Sequence, residues 1–333
     1  MRGTPDTPAP PVLLALRALK LGDLLVAVPA LRGLRRGFPE HRIVLAAPGW
    51  LQPIAELVDA VDELLPTSGL DDLLPLAPGA VDIAANLHGN GEESRRVIDA
   101  LGARMKIVHR SPGDPDGTPW VDGVLERARW ARLVTAYGAP ADPDDVAIAA
   151  PAAPPRAIGA AVVHVGAFYG SRRWPVDRFA RVARALRSDG MEVVLTGAAA
   201  DRPRALAVAR EAGLPERAAV AGEAGLAEFA ALVACAAVVV TVDTGAAHLA
   251  SAYGTPSVVI FGPAPVEEWG PPPGPHIVLT DASLRRGEAF ADEPDPALLA
   301  VTAEQAILAA RSVRDRRPLE PLAHLREDPP QEA

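Results

Sequence analysis

The stretch at residues 238–263, VVVTVDTGAAHLASAYGTPSVVIFGP, limits the folds open to this chain more than any other. An apolar β-branched run, a short polar break, a helix of small residues and a second apolar run follow one another without spare length. Two buried strands joined through a helix run parallel, because the crossover has to pack back on the sheet. The break puts Asp243, Thr244 and Gly245 where strand becomes helix, with His248 about one turn further on. The first amides of a helix lack partners inside it, and the helix dipole adds positive potential there, so such a junction suits a phosphate. Gly245 lets a ligand's oxygens approach the backbone, Thr244 caps the helix or donates its hydroxyl, and His248 can point toward the same mouth. A lone D-T-G is equally compatible with an ordinary capped turn, so its meaning depends on the rest of the chain.

The same unit recurs along the chain. In the first half, strands are expected at 12–19, 43–47, 63–66, 81–87 and 106–109, alternating with helices at 24–37, 50–58, up to about 101, and 121–137. The second half repeats the pattern, with strands at 159–165, 192–196, 218–221, 237–242 and 257–261, and helices at 175–188, 201–212, 226–235 and after Thr244. A Pro- and Ala-rich linker, PAADPDDVAIAAPAAPPRA, separates them. The fold class is therefore α/β: two Rossmann-like, doubly wound parallel-sheet domains facing a central cleft. The expected boundaries are 1–150 and 151–300, followed by a last helix at about 298–313 and a frayed tail in 301–333. The polar loops at Asp23, His88, Ser171 and Thr244 fall at the carboxyl strand edges, where open α/β sheets bind ligands. The loop at 111–120 is long enough to be functional or mobile.

Composition supports two cores. A chain of 333 residues exceeds what one core usually serves, and 49% hydrophobic with 23% charged residues describes a soluble globular protein. The net charge of -9 argues against broad nucleic-acid binding. The one cysteine, Cys235, excludes an internal disulfide and a Cys-rich metal site; it is expected to be a buried small hydrophobe in a reducing cytoplasm. The leader MRGTPDTPAPP lacks the apolar core of a signal peptide, and no clean apolar span of roughly 20 residues follows. A cytoplasmic protein is expected, at most peripheral to a membrane.

The loop Lys20-Leu21-Gly22-Asp23 joins the first strand to the first helix without a GxGxxG, which weakens any NAD-dependent reading. Asp23 is either a helix cap, contributing about 1 kcal/mol, or a carboxylate facing the cleft. Four segments then fix a resemblance: LKLGDLLVAVPALRGLRRGFP, HVGAFYGSRRWPVDRFARVARAL, VVLTGAAADRPRA and VDTGAAHLASAYGTPSVVIFGP. In this order and spacing, over most of residues 12–313, they resemble glycosyltransferase family 9, the ADP-heptose:lipopolysaccharide heptosyltransferases.

The resemblance implies a GT-B fold, with an N-terminal acceptor domain, a C-terminal nucleotide-sugar domain and the last helix returning to the first domain. It implies inverting transfer of a sugar from a nucleotide diphosphate donor to an acceptor hydroxyl, with no bound metal and no separate cofactor. Asp23 matches the proposed general base of the family's GD motif, a role that calls for a closed, fairly dry cleft. Asp243, Thr244, Gly245 and His248, with Ser171 and Arg172 before the Trp-Pro, match the donor-diphosphate motif, and Gly166, Ala167 and Gly197 would let the nucleotide lie near the backbone. Arg172 and Arg173 stand where the family often has a lysine, and Trp174 and Pro175 read as packing and helix-start residues. His88 and Asn90 fall where the family has polar residues near the acceptor. Arg95 and Arg96 either face an anionic acceptor or coat a helix. Residues 280–296 lack the family's Cys-containing segment. Competing readings are a GT-B nucleotide-sugar epimerase or hydrolase, and a non-catalytic nucleotide-sugar-binding protein.

Overall fold

The structure is a computed structural model and describes residues 9–71 and 73–315. The first sheet is built from β1 (Val12–Leu16), β2 (Arg42–Ala47), β3 (Glu63–Pro66), β4 (Ile83–Asn86) and β5 (Met105–Ile107), in the order β3-β2-β1-β4-β5. Every pairing is parallel. The helices of this half are α1 (Leu21–Gly37), α2 (Gln52–Ala55), α3 (Glu92–Ala100) and α4 (Glu126–Thr135). The second sheet holds β6 (Ala161–His164), β7 (Val193–Thr196), β8 (Val238–Val242), β9 (Ser257–Ile260) and β10 (His276–Leu279), in the order β10-β9-β8-β6-β7, again all parallel. Around it lie α5 (Val176–Ser188), α6 (Arg202–Ala212), α7 (Leu226–Ala234), α8 (Gly245–Ala252), α9 (Val266–Trp269), α10 (Pro296–Ala300) and α11 (Ala303–Asp315). In each sheet the strand order reverses beside the first strand of the half. Such a reversal opens a crevice at the carboxyl edge.

α1 ties the two halves together. A helix apolar on nearly all sides needs partners on all sides, and α1 finds them in its own sheet, in α4, and in α8 of the other half. One apolar cluster consequently runs from Leu13 and Leu31 through to Leu232 and Leu249. The interdomain segment is fastened rather than loose. A Cβ on Gly33 or Gly37 would come within 2.8 Å of Ala141 or Ala139, and Arg32 and Arg36 both pair with Asp145. Buried Arg127 of α4 donates to the Gly270 carbonyl at 2.6 Å, a second tie between the halves.

Several elements depart from the sequence pattern, for local reasons. The helix expected at 50–58 shrinks to a 3-10 turn and α2, with Pro53 in its first turn. The strand expected at 218–221 makes a single bridge, Leu195 to Ala219. The last helix is broken at Val301, in extended conformation, and restarts through a reciprocal Thr302–Gln305 cap. The return of the terminal helix to the first domain is corrected: α11 packs on α5 and on β8, β9 and β10, within the apolar cluster of the second sheet. Its stripe of Ala303, Ala306, Ala310 and Val313 is small enough to lie directly on those strands. The frayed tail lies outside the described residues. Among the described residues no helix is long and apolar enough to cross a membrane. Cys235 is partly rather than fully buried.

Candidate active site

The wall on the first domain is organised by Arg17, which directly follows β1. Its guanidinium is 1% exposed. It donates to the Leu87 carbonyl and, at 2.9 Å, to the Asp23 backbone carbonyl, and lies 3.4 Å from Asp23 Oδ1. The Trp130 ring closes its other side, with the guanidinium 4.8 Å from the ring centre. Asp23 is the third residue of α1, and its Oδ2 accepts the Lys20 amide at 3.2 Å. Asp23 is therefore not the cap residue, which is Lys20, but the N3 residue that reaches back to the cap amide, and its carboxylate, 25% exposed, faces the cleft. Beside the pair stands His88. Burial, followed by the Arg17 charge, pushes its pKa down to about 4, so its ring is neutral at pH 7.

The opposite wall is the β8 to α8 junction. Thr244 occupies the cap position in extended conformation, yet its hydroxyl bonds to Thr241 Oγ1 and the Val242 carbonyl. The first amides of α8 are thus left without a side-chain cap. Asp243, 3% exposed, lines the cavity and is engaged with Arg172. Its carbonyl accepts Arg172 Nη1 at 3.2 Å, and its Oδ2 lies 3.3 Å from the same nitrogen. A carboxylate held there repels an anion but orients the cation that meets one, and among the described residues Arg172 Nε and Asp243 Oδ2 are both buried without a hydrogen-bond partner. His248 packs edge-on against Trp269, and burial lowers its pKa, which keeps it neutral.

The two walls touch through glycines. A Cβ on Gly22 would fall 2.9 Å from His248 Cδ2, and one on Gly245 would fall 3.0 Å from Leu21 Cδ2. Gly245 therefore admits Leu21 of the other half as well as leaving room at the helix start. Between the walls is a cavity of about 410 Å³ that gathers Asp23 with Gly166, Arg172, Asp243, Thr244, Gly245 and His248. A recess of about 220 Å³ continues from it past His164, Gly197 and Phe229.

Not every expected residue reaches this cavity. Ser171 does not: its hydroxyl donates to the Ala289 carbonyl at 2.7 Å, and its amide and carbonyl bond to Ala291 and Asp295. Its motif anchors the segment 285–295, and a Cβ on Gly170 would strike the Asp292 carbonyl. Asn90 donates to the Arg110 carbonyl and Arg95 to the Asn90 carbonyl, so both brace a loop. Arg96 is likewise turned to the Leu70 and Asp71 carbonyls. The loop at 111–120 is stapled down by the Arg110–Thr118 backbone bond, by the Lys106–Asp114 ion pair and by Trp120 edge-on to His109. Buried Trp174 donates to the Val301 carbonyl at 3.0 Å, a packing role as its sequence context suggests.

Three residues of the site escaped the sequence pattern. Arg17 carries a signal in retrospect: it is a lone charge inside the apolar run VLLALRAL. His164 closes β6, paired with Thr196 Oγ1 at 3.0 Å, and burial takes its pKa down to about 4. Asp201 fills the space left by two glycines: a Cβ on Gly166 would lie 2.6 Å from its Oδ2, and one on Gly197 2.8 Å from its Cβ. Gly197 thus makes room for an acid that also lines the cavity.

Residues 140–283 match the family model described as glycosyltransferase family 9 (heptosyltransferase). Lipopolysaccharide heptosyltransferase 2 of Salmonella typhimurium is 25% identical over 287 residues, covering 73% of this chain and 80% of that protein. Among solved structures, a glycosyl transferase family 9 protein from Veillonella parvula superposes with a TM-score of 0.73 at 19% identity, covering 92% of this chain and 98% of that one. The ADP-heptose lps heptosyltransferase II of E. coli gives 0.70 at 20% identity, covering 91% and 98%. These likenesses establish the two-domain GT-B architecture.

Proposed function

We propose that this chain, which is similar to glycosyltransferase family 9 over residues 140–283, transfers a sugar from an ADP-sugar to an acceptor hydroxyl, with inversion and without a bound metal. The observation that carries this reading is the pairing across one cavity of Asp23 on one wall with Arg172 and the uncapped start of α8 on the other. The uncapped amides and Arg172 receive the diphosphate, whose negative charge grows as the bond to the sugar breaks. Asp23 takes the proton of the acceptor hydroxyl, and the oxygen attacks the anomeric carbon from the first-domain side. The electron pair of the old C–O bond leaves with the phosphate on the other side, and attack opposite the leaving group inverts the centre. Neutral His248 adds a hydrogen bond there, and Asp243 keeps Arg172 aimed. Asp201 suits ribose hydroxyls, and the recess beside His164 and Phe229 suits a flat base. Heptose is the first sugar to try, because relatives are named for it.

A thermal-shift panel of ADP-, GDP-, UDP- and dTDP-sugars in EDTA tests the donor. A ligand at 100 times its dissociation constant adds about 2.7 kcal/mol, so the ADP-sugar is expected to raise the midpoint by several degrees. No shift with any nucleotide sugar contradicts the reading. Free sugar released without an acceptor would instead mark a hydrolase.

A further inference from the structure

A cavity larger than the proposed donor cavity adjoins it, sharing Lys20, Gly22, His164, Phe168 and Gly245 with it and extending beyond it on the first-domain side. It measures about 980 Å³ and opens from the Lys20-Leu21-Gly22 loop. Its first-domain wall is Pro48, Gly49 and Trp50 after β2, and Pro66 at the end of β3 with Thr67 and Ser68 after it; Phe168 and Phe229 of the second domain face it. Trp50 is 54% and Phe168 74% exposed, a large aromatic surface left open to the cleft. Among the described residues lining it, Lys20 is the one cation, and none is a carboxylate. Lys20 is itself engaged: its Nζ lies 3.3 Å from the centre of the Phe168 ring and 5.0 Å from that of Tyr169.

A phosphorylated or polyanionic acceptor entering here would lose hydration without meeting the guanidinium forks that compensate such groups. Arg95 and Arg96, the arginines on the acceptor half that could have served, are turned to backbone carbonyls and lie outside this cavity. The wall offers instead ring faces for stacking and, for orientation, the Ser68 hydroxyl and the Thr67 hydroxyl oxygen as an acceptor, its proton being donated to the Gly69 carbonyl at 3.0 Å. That is the usual make-up of a pocket for a small organic ligand, at the upper end of the usual size of about 300–1,000 Å³.

We propose that this cavity is the acceptor site, and that the acceptor is an uncharged, ring-bearing alcohol or phenol whose apolar body stacks between Trp50 and Phe168 while its hydroxyl reaches the Asp23 end of the cleft. The proposal rests on the glycosyltransferase reading of the donor site, and it separates this chain's acceptor chemistry from that of an anionic glycan.

The test is calorimetric titration of 2-naphthol into the protein saturated with ADP, so that a naphthol ring cannot occupy the base recess. Saturable binding is expected, weakened at least tenfold by Trp50→Ala and by Ser68→Glu, both exposed positions where the fold tolerates change. ADP affinity is expected to stay within twofold in both variants. The proposal is overturned if ADP binds while 2-naphthol does not, or if both variants bind 2-naphthol like the wild type. It is also overturned if glucose 6-phosphate binds more tightly than 2-naphthol and loses that binding in Lys20→Ala. If ADP itself fails to bind, the donor reading falls; 2-naphthol titrated alone, with the same two variants, then still decides the ligand class of the cavity.

Discussion

At the scale of single residues the site is a set of charges held by other charges. Asp23 is fixed by Arg17 on one side and by the Lys20 amide on the other, so its carboxylate presents one face to the cleft. Asp23→Asn keeps the cap geometry and removes the base; turnover is expected to fall by about 10²–10⁴-fold, measured as acceptor-dependent ADP release, with ADP affinity unchanged. Arg17→Met leaves the Leu87 carbonyl and Asp23 without their donor. Because Asp23 is partly exposed, the stability loss should be nearer 2 kcal/mol than the 3–5 of a fully buried pair, read as a melting midpoint lowered by several degrees. His88 and His164 titrate at about 4 in the fold against 6.5 unfolded. The unfolded chain therefore takes up protons first as pH falls. Their contribution to stability is whole above about 6.5, erodes below it and is gone at about 4, so denaturation midpoints should drop across that window. His164→Gln should flatten the drop; an unchanged slope would contradict the assignment. Asp23, Arg172, Thr244, Gly245 and His248 could be grouped from the sequence because they sit in short motifs at strand ends, and they line one cavity. Asp243 and Ser171 were legible as residues but not as roles, since only the fold shows that one orients Arg172 and the other anchors 285–295. Arg17 and His164 were hidden because each reads as part of a strand.

At the scale of elements the decisive contact is the abutment of α1 and α8 by their first turns. The three atoms nearest a Cβ on Gly245 all belong to the flexible Leu21 side chain. Gly245→Ala is therefore expected to cost about 1–3 kcal/mol by overpacking, and Leu21→Ala to recover part of that in the double variant. Additive losses in thermal melts would mean that the two residues do not press on each other. The alternation of apolar runs foretold both sheets, because buried parallel strands are written as continuous Val, Leu and Ile. Elements whose existence depends on neighbours were not foretold. β10 is only half-buried at the sheet edge and carries a weak apolar signal, while the 218–221 run lacks the length to pair beyond one bridge. The break between α10 and α11 was written in the sequence as the Thr302-x-x-Gln305 capping box, which a purely periodic reading passes over.

At the scale of the whole molecule two similar halves are joined so that each supplies what the other lacks. One carries a carboxylate at its reversal point, the other a cation and a helix start, and α1 with Arg127 holds them face to face. The acceptor-domain and donor-domain assignment of 1–150 and 151–300 remains our proposal, and it is what the site chemistry would require. The family model matches residues 140–283, which lie almost wholly in the second half. The measurement that bears on this most directly is the calorimetric titration of ADP in EDTA into wild type, Arg172→Ala and Asp23→Asn. Saturable binding to the wild type, weakened by about tenfold or more in Arg172→Ala and unaltered in Asp23→Asn, is the expected result. Binding that needs a divalent metal, or that depends on Asp23 and not on Arg172, would contradict it.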